Sequence, residues 1–153
     1  VHDVSFDVPA GAIHALIGPN GAGKTTIFNM IAGVYRPDAG SVTLDDRKIS
    51  GLRPDRVCDA GVGRTFQIVK PFKGLSVLEN VTVGALHRRP ALPEARAHAA
   101  DILARLGLHD RRHQAAESLT LPDRKRLEVA RALATEPKLL LLDDPTRGID
   151  VGA

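Results

Sequence analysis

Disulfides, tryptophan and long apolar runs are all missing from this chain. The single cysteine, Cys58, excludes an internal disulfide, so stability must come from packing, and a reducing compartment suits the chain. Tryptophan is absent and aromatics make up 3% of the 153 residues, which leaves aliphatic side chains to build the core. No stretch reaches the roughly 18 apolar residues of a membrane span, and the first residues lack the charged-then-apolar layout of a signal peptide. The chain is therefore expected to be soluble, or held at a membrane by a partner. A strong excess of one charge is also missing. The net charge is +3, and Arg88-Arg89, Arg111-Arg112 and Arg124-Lys125-Arg126 are short, separated clusters. That is the pattern of solvated helix faces rather than of a nucleic-acid-binding stripe.

What is present has a clear order. Val4, Phe6 and Val8 alternate with polar residues and read as a half-buried strand that Pro9-Ala10-Gly11 ends in a turn. "AIHALIG" reads as a second, more buried strand. It runs into "GPNGAGKTT", after which Ile27, Met30, Ile31 and Val34 share one helical face. "GSVTLDD" carries another short alternation, "KISGLRPDRVCDAG" is loop-rich with one helical turn, and "VGRTFQIV" reads as a strand ending near Gln67. Residues 87–93, "HRRPALP", form a connector. Ala99, Ile102, Leu103 and Leu106 then mark a helix stopped by Gly107, and a second helix covers about Asp123 to Thr135. In "KLLLLDDP" four leucines are followed by two acids, as in a strand buried on both faces of a parallel sheet. Interleaved strands and helices predict an α/β fold with a parallel sheet and a helical insert.

Residues Gly18 to Thr26 fit G-x-x-x-x-G-K-[ST], a loop whose backbone amides wrap phosphate. Glycines at 18, 21 and 23 keep side chains out of the way, and the following helix adds free amides and a positive dipole end. Gly18, Pro19, Asn20, Gly21, Ala22, Gly23, Lys24, Thr25 and Thr26 are the expected nucleotide contacts, with Lys24 on the β and γ phosphates and the Thr25 hydroxyl on Mg²⁺. A chance match would occur about once in two hundred chains of this length. Strand before and helix after make chance rarer still. The buried leucine run supplies the other half of such a site: Asp143 is expected to hold Mg²⁺, directly or through water, and Asp144 to orient or deprotonate the attacking water.

With these motifs in this order, the chain resembles an ATP-binding cassette, the motor domain of ABC transporters. The phosphate loop lies at 18–26, a Q-loop at Gln67, a signature region at 119–131, the second acidic motif at 138–144 and a D-loop at 146–150. "GRTFQ", "LSVLENV" and "KRLEVARALATEPKLLLLDDP" are similar to the ATPase subunits of branched-chain amino acid importers. The resemblance implies a P-loop NTPase core with a parallel sheet, a small antiparallel β part near the N-terminus and a helical subdomain. The core would be 1–84 and 136–153, and the helical subdomain about 85–135. It also implies ATP and Mg²⁺ as ligands, and Gln67 as sensor of the metal and the water. Residues Ile68 to Val81 would meet a permease's cytoplasmic coupling helix, Thr120 would touch a partner cassette's γ phosphate, and Asp150 would lie in the loop that touches that cassette. The implied place is the cytoplasmic face of the plasma membrane, with two cassettes on a permease served indirectly by a solute-binding protein. No nucleic-acid partner is implied.

The sequence departs from that family in three ways. The signature reads Leu119-Thr120-Leu121-Pro122-Asp123 in place of Leu-Ser-Gly-Gly-Gln. Pro122 has no N–H to donate, and Asp123 is expected to set a negative charge toward phosphate. The family's catalytic glutamate is Asp144, one methylene shorter, which predicts slow hydrolysis. The adenine-stacking aromatic and the switch histidine have no counterpart, since every histidine precedes Asp150, and the chain is expected to be a fragment of the cassette. Two other functions share the ATP motifs: a soluble cassette acting on nucleic acid or the ribosome, and a regulatory cassette with little turnover.

Overall fold

In the computed structural model, which describes residues 1–65 and 70–143, the chain divides into two units, Val1–Val57 and Cys58 onward. The first unit opens with an extended stretch. Ala12 N–H donates to the Pro9 carbonyl at 3.1 Å, closing the turn expected at Pro9-Ala10-Gly11. The two expected strands flanking that turn are not formed. A strand is defined by its ladder, and among the described residues no segment pairs with Val4–Val8 or Ala12–Gly18. Ile13 and Ile17 accordingly stand 98% and 94% exposed, whereas the expectation was burial. Helix α1 (Lys24–Ile31) follows the glycine loop, and Val34 N–H returns to the Asn29 carbonyl at 2.8 Å to close it. Strands β1 (Thr43–Leu44) and β2 (Arg47–Lys48) then form a tight antiparallel hairpin. Its two turn residues, Asp45 and Asp46, have φ of 47° and 61°, the left-handed pair that a two-residue hairpin needs and that aspartate tolerates. This is the small antiparallel β part. "RPDRVCDA" becomes helix α2 (Pro54–Ala60), with proline in the first turn where its missing N–H costs nothing.

In the second unit β3 (Val62–Arg64) lies parallel to β4 (Leu139–Leu141), Val62 opposite Leu139 and Arg64 opposite Leu141. Their pairing continues as Thr65 N–H donates to the Leu141 carbonyl at 2.9 Å. Of the leucine run only Leu141 is fully buried; Leu139 and Leu140 are half-buried. Three helices pack on one another: α3 (Val77–Ala85), α4 (Leu92–Arg105) and α5 (Leu121–Leu133). Their shared core is aliphatic, as the composition requires, with Val81, Leu103, Leu108 and Leu127 at 0% exposure. Each such side chain contributes about 1.5–3 kcal/mol of burial. Helix α4 ends as expected, Leu108 N–H turning back to the Leu103 carbonyl at 2.8 Å past Gly107.

Helix α3 was not anticipated from apolar spacing. Its start is nonetheless written in the sequence: Ser76 Oγ accepts from Glu79 N–H at 3.2 Å while Glu79 Oε2 accepts from Ser76 N–H at 2.8 Å, a reciprocal capping box. These bonds hold the Glu79 carboxyl below the ordinary carboxylate range, the main-chain N–H of Ser76 being the largest cause. The helical core thus begins at Val77, and the Leu86–Ala91 connector joins α3 to α4.

Candidate functional site

The glycine loop is shaped by its own backbone. Gly21 and Gly23 have φ of +83° and +90°, values that an L side chain rarely adopts, and Gly23 is the residue before the first turn of α1. That turn contains no acid and takes no side-chain cap. The positive end of the helix dipole therefore meets the glycine loop without an acidic side chain in that turn. Lys24 lies across the loop: its Nζ donates to the Gly18 carbonyl at 2.7 Å and the Pro19 carbonyl at 2.9 Å. An ammonium has three donors, and two of them tie the loop into one turn. Thr25 and Thr26 follow in the same first turn of α1. This arrangement suits an anion, because a lysine ammonium and glycine backbone meet at the start of a helix whose first turn has no acid.

Asp143 lies two residues past the end of β4 in the second unit. Its side chain is 8% exposed, and one carboxylate oxygen accepts from Arg64 Nη2 at 3.0 Å, the guanidinium side chain being 10% exposed. Asp143 N–H donates to Thr65 Oγ1 at 3.2 Å. Arg64 and Thr65, consecutive at the end of β3, thus hold the side chain and the main chain of Asp143. Sequence reasoning had not singled out either one. The available signal was Arg64 itself, a charge inside a strand too buried to solvate it. Burying this carboxylate without a partner would be strongly unfavourable, and a buried pair broken on one side loses about 3–5 kcal/mol. Gln67, Asp144 and Asp150 lie outside the described residues.

At the start of α5, Thr120 is the N-cap. Its hydroxyl donates to Asp123 Oδ2 at 2.7 Å and accepts from Asp123 N–H at 3.4 Å. Asp123 is buried and also paired with Arg111 and with Arg126 Nη1. The carboxylate expected to face phosphate is instead turned inward and compensated by two guanidinium groups. Its cause is local: a residue three past the N-cap lies beside the cap side chain. Elsewhere, Cys58 Sγ lies 3.8 Å from His87 Nε2, and burial pushes the thiol up despite the opposing charge of Arg88. It stays protonated at neutral pH and is a poor nucleophile. Among the described residues no group of three His, Cys, Asp or Glu side chains could hold a metal, and no helix is long and apolar enough to cross a membrane.

Comparison with known proteins agrees with the geometry. The ABC transporter family model matches residues 1–147. The high-affinity branched-chain amino acid transport ATP-binding protein LivG of Salmonella typhimurium is 38% identical, over 98% of this chain and 65% of its own length. The lipopolysaccharide export system ATP-binding protein LptB of Acidithiobacillus ferridurans is 40% identical, over 98% of this chain and 62% of its own. The crystal structure of a nucleotide-free ATP-binding cassette from an ABC transporter superposes with a TM-score of 0.72 at 32% identity, covering 86% of this chain and 57% of that one. The chain thus spans about two thirds or less of the length of these relatives. Its fold is the α/β P-loop NTPase fold of those cassettes, and the chain belongs to the ABC transporter family.

Proposed function

We propose that this chain is the ATP-binding and ATP-hydrolysing part of an ABC importer that takes up branched-chain or other amino acids through a membrane permease. The observation that carries the proposal is the glycine loop, with Gly21 and Gly23 at positive φ, Lys24 drawn across the Gly18 and Pro19 carbonyls, and α1 beginning directly after it. The amino acid class rests on similarity to LivG, a branched-chain amino acid protein, across 98% of the chain.

Residues Gly18 to Thr26 bind the phosphates. Lys24 draws charge from the β and γ groups. Thr25 and Asp143, with Gln67, are the residues to hold Mg²⁺, which supplies charge neutralisation on the phosphates when bound. Arg64 balances Asp143 and fixes the direction of its carboxylate. Asp144 accepts the proton of the attacking water, and being one methylene shorter than glutamate it does so from a poorer distance. Two cassettes close on each other, Thr120 facing the partner's nucleotide and Asp150 the partner's chain. The segment after Gln67 meets the permease on the cytoplasmic face of the membrane, and a solute-binding protein outside delivers the cargo. The core would comprise 1–84 and 136–153, with about 85–135 as the helical subdomain, against which α3 packs from the core side.

A second reading is favoured by the signature. Thr120 already gives its hydroxyl to Asp123, which Arg111 and Arg126 hold, and a cassette built so would bind ATP with little turnover. Purification of the full-length protein through a tag, followed by ATP turnover, separates the possibilities. Membrane subunits with slow, Lys24-dependent hydrolysis are expected. ATP binding without hydrolysis in the assembled complex would establish the regulatory reading, and co-purification with nucleic acid or ribosomes in place of membrane protein would refute the importer.

A further inference from the structure

Arg131, on the last turns of α5, makes three contacts at once. Its Nη1 donates to the Lys70 carbonyl at 3.1 Å and pairs with Glu128 Oε2 at 2.8 Å, while its guanidinium carbon stands 4.3 Å from the centre of the Phe72 ring. Only arginine offers both a planar face to stack and a fork to donate. The Phe72 main chain is gripped separately by Asn80, whose Oδ1 accepts from Phe72 N–H at 2.8 Å and whose Nδ2 donates to the Phe72 carbonyl at 3.3 Å. Ring and backbone of one loop residue are therefore fixed from two helices. The Arg131 main chain is fixed as well: α3 approaches it so closely at Gly84 that an added Cβ would lie 2.6 Å from the Arg131 carbonyl oxygen.

From this we propose that Arg131 is a positioning residue that makes α5 and the Lys70–Ser76 segment a single mechanical body. The chemistry of Arg131 needs no ligand, but its consequence rests on the proposed function. There the segment after Gln67 faces the permease and α5 starts at the signature, so Arg131 carries displacement of α5 to the permease-facing loop. Phe72, 42% exposed, is the aromatic residue whose placement Arg131 sets.

Hydrogen exchange on the purified chain tests the holding role. In Arg131→Met the amides of Lys70 to Ser76 are expected to exchange about tenfold faster or more, the loss of one cation–π contact and one hydrogen bond, while those of α4 are unchanged. Arg131→Lys keeps a charge for Glu128 without the stacking plane and is expected to fall between. Phe72→Leu removes the stack from the loop side and gives the same acceleration where the Arg131 variants do not fold. Unchanged exchange in the segment, or equal acceleration in α4, overturns the proposal. ATP turnover of the complex purified from membranes tests the transmission. A KM for ATP within about twofold of wild type and a kcat lowered about tenfold are expected for Arg131→Met, with partial recovery in Arg131→Lys, and an unchanged kcat overturns it. Absence of any membrane subunit from the wild-type preparation defeats the importer reading instead, and the exchange result still decides whether Arg131 holds the segment.

Discussion

Asn80 is fully buried and spends its whole amide on the chain just before it: Oδ1 on Phe72 N–H, and Nδ2 on the carbonyls of Phe72, Leu75 and Ser76 at 3.3, 3.3 and 2.9 Å. Leucine at this position would match it in size and leave those groups without their partner in a dry site. Asn80→Leu is expected to cost about 3 kcal/mol, read as a fall of roughly 6–12 °C in the unfolding midpoint for a chain of this length. Asp144 gives a prediction of the opposite sign. If its short side chain limits proton transfer, Asp144→Glu raises ATP turnover several-fold, a small part of the 10²–10⁴-fold that a well-placed base supplies; a fall on steady-state assay would refute that role. The proposed phosphate contacts at 18–26 and the proposed acids at 143–144 are inferences from residue type and spacing, because phosphate and metal binding restrict which side chains serve. Arg64, Arg111 and Arg126 could not be inferred in that way. Their partners, Asp143 and Asp123, are 79, 12 and 3 residues away in sequence, and only folding brings the two more distant pairs together.

Among the elements, α3 and its capping box carry an acid-sensitive contribution. Glu79 titrates below its unfolded value of about 4.3, mainly because Ser76 N–H bonds the ionised form. The stability it adds is fully present above the unfolded value and is lost as pH falls through the lower folded value. Glu79→Gln retains the box geometry and removes the titration. Denaturant midpoints between pH 5 and pH 2 should therefore fall less steeply in that variant. The crossing of α3 with α5 makes a second prediction. Alanine in a helix interior ordinarily gains about 1 kcal/mol over glycine, but a Cβ on Gly84 would meet the Arg131 carbonyl at 2.6 Å and Ala134 Cβ at 3.2 Å. Overpacking of about 1–3 kcal/mol outweighs the gain, and Gly84→Ala is expected to lower the midpoint in thermal unfolding. Helices with a clean 3.6-residue period, α1, α4 and α5, were legible within a few residues of their observed ends. The β-segments were less so. Apolar alternation near Val4–Val8 and Ala12–Gly18 marks what a strand could bury, yet a strand also needs a partner, and periodicity says nothing about who that is.

Across the whole molecule, composition and order of motifs combine into one statement: an aliphatic α/β chain with a glycine loop in its first unit and a buried acid just past a strand in its second. LivG and LptB, named for different cargoes, are 38% and 40% identical to this chain. The central claim is that the glycine loop binds the phosphates of ATP. Thermal unfolding of the chain with and without Mg-ATP, using Lys24→Ala as control, tests it most directly. At a hundred times the dissociation constant, ligand binding stabilises by about 2.7 kcal/mol, or roughly 5–11 °C here. A shift of that size in the wild type that disappears in Lys24→Ala is the expected result. A cooperative transition that Mg-ATP leaves in place, or a shift of equal size in Lys24→Ala, would contradict the account.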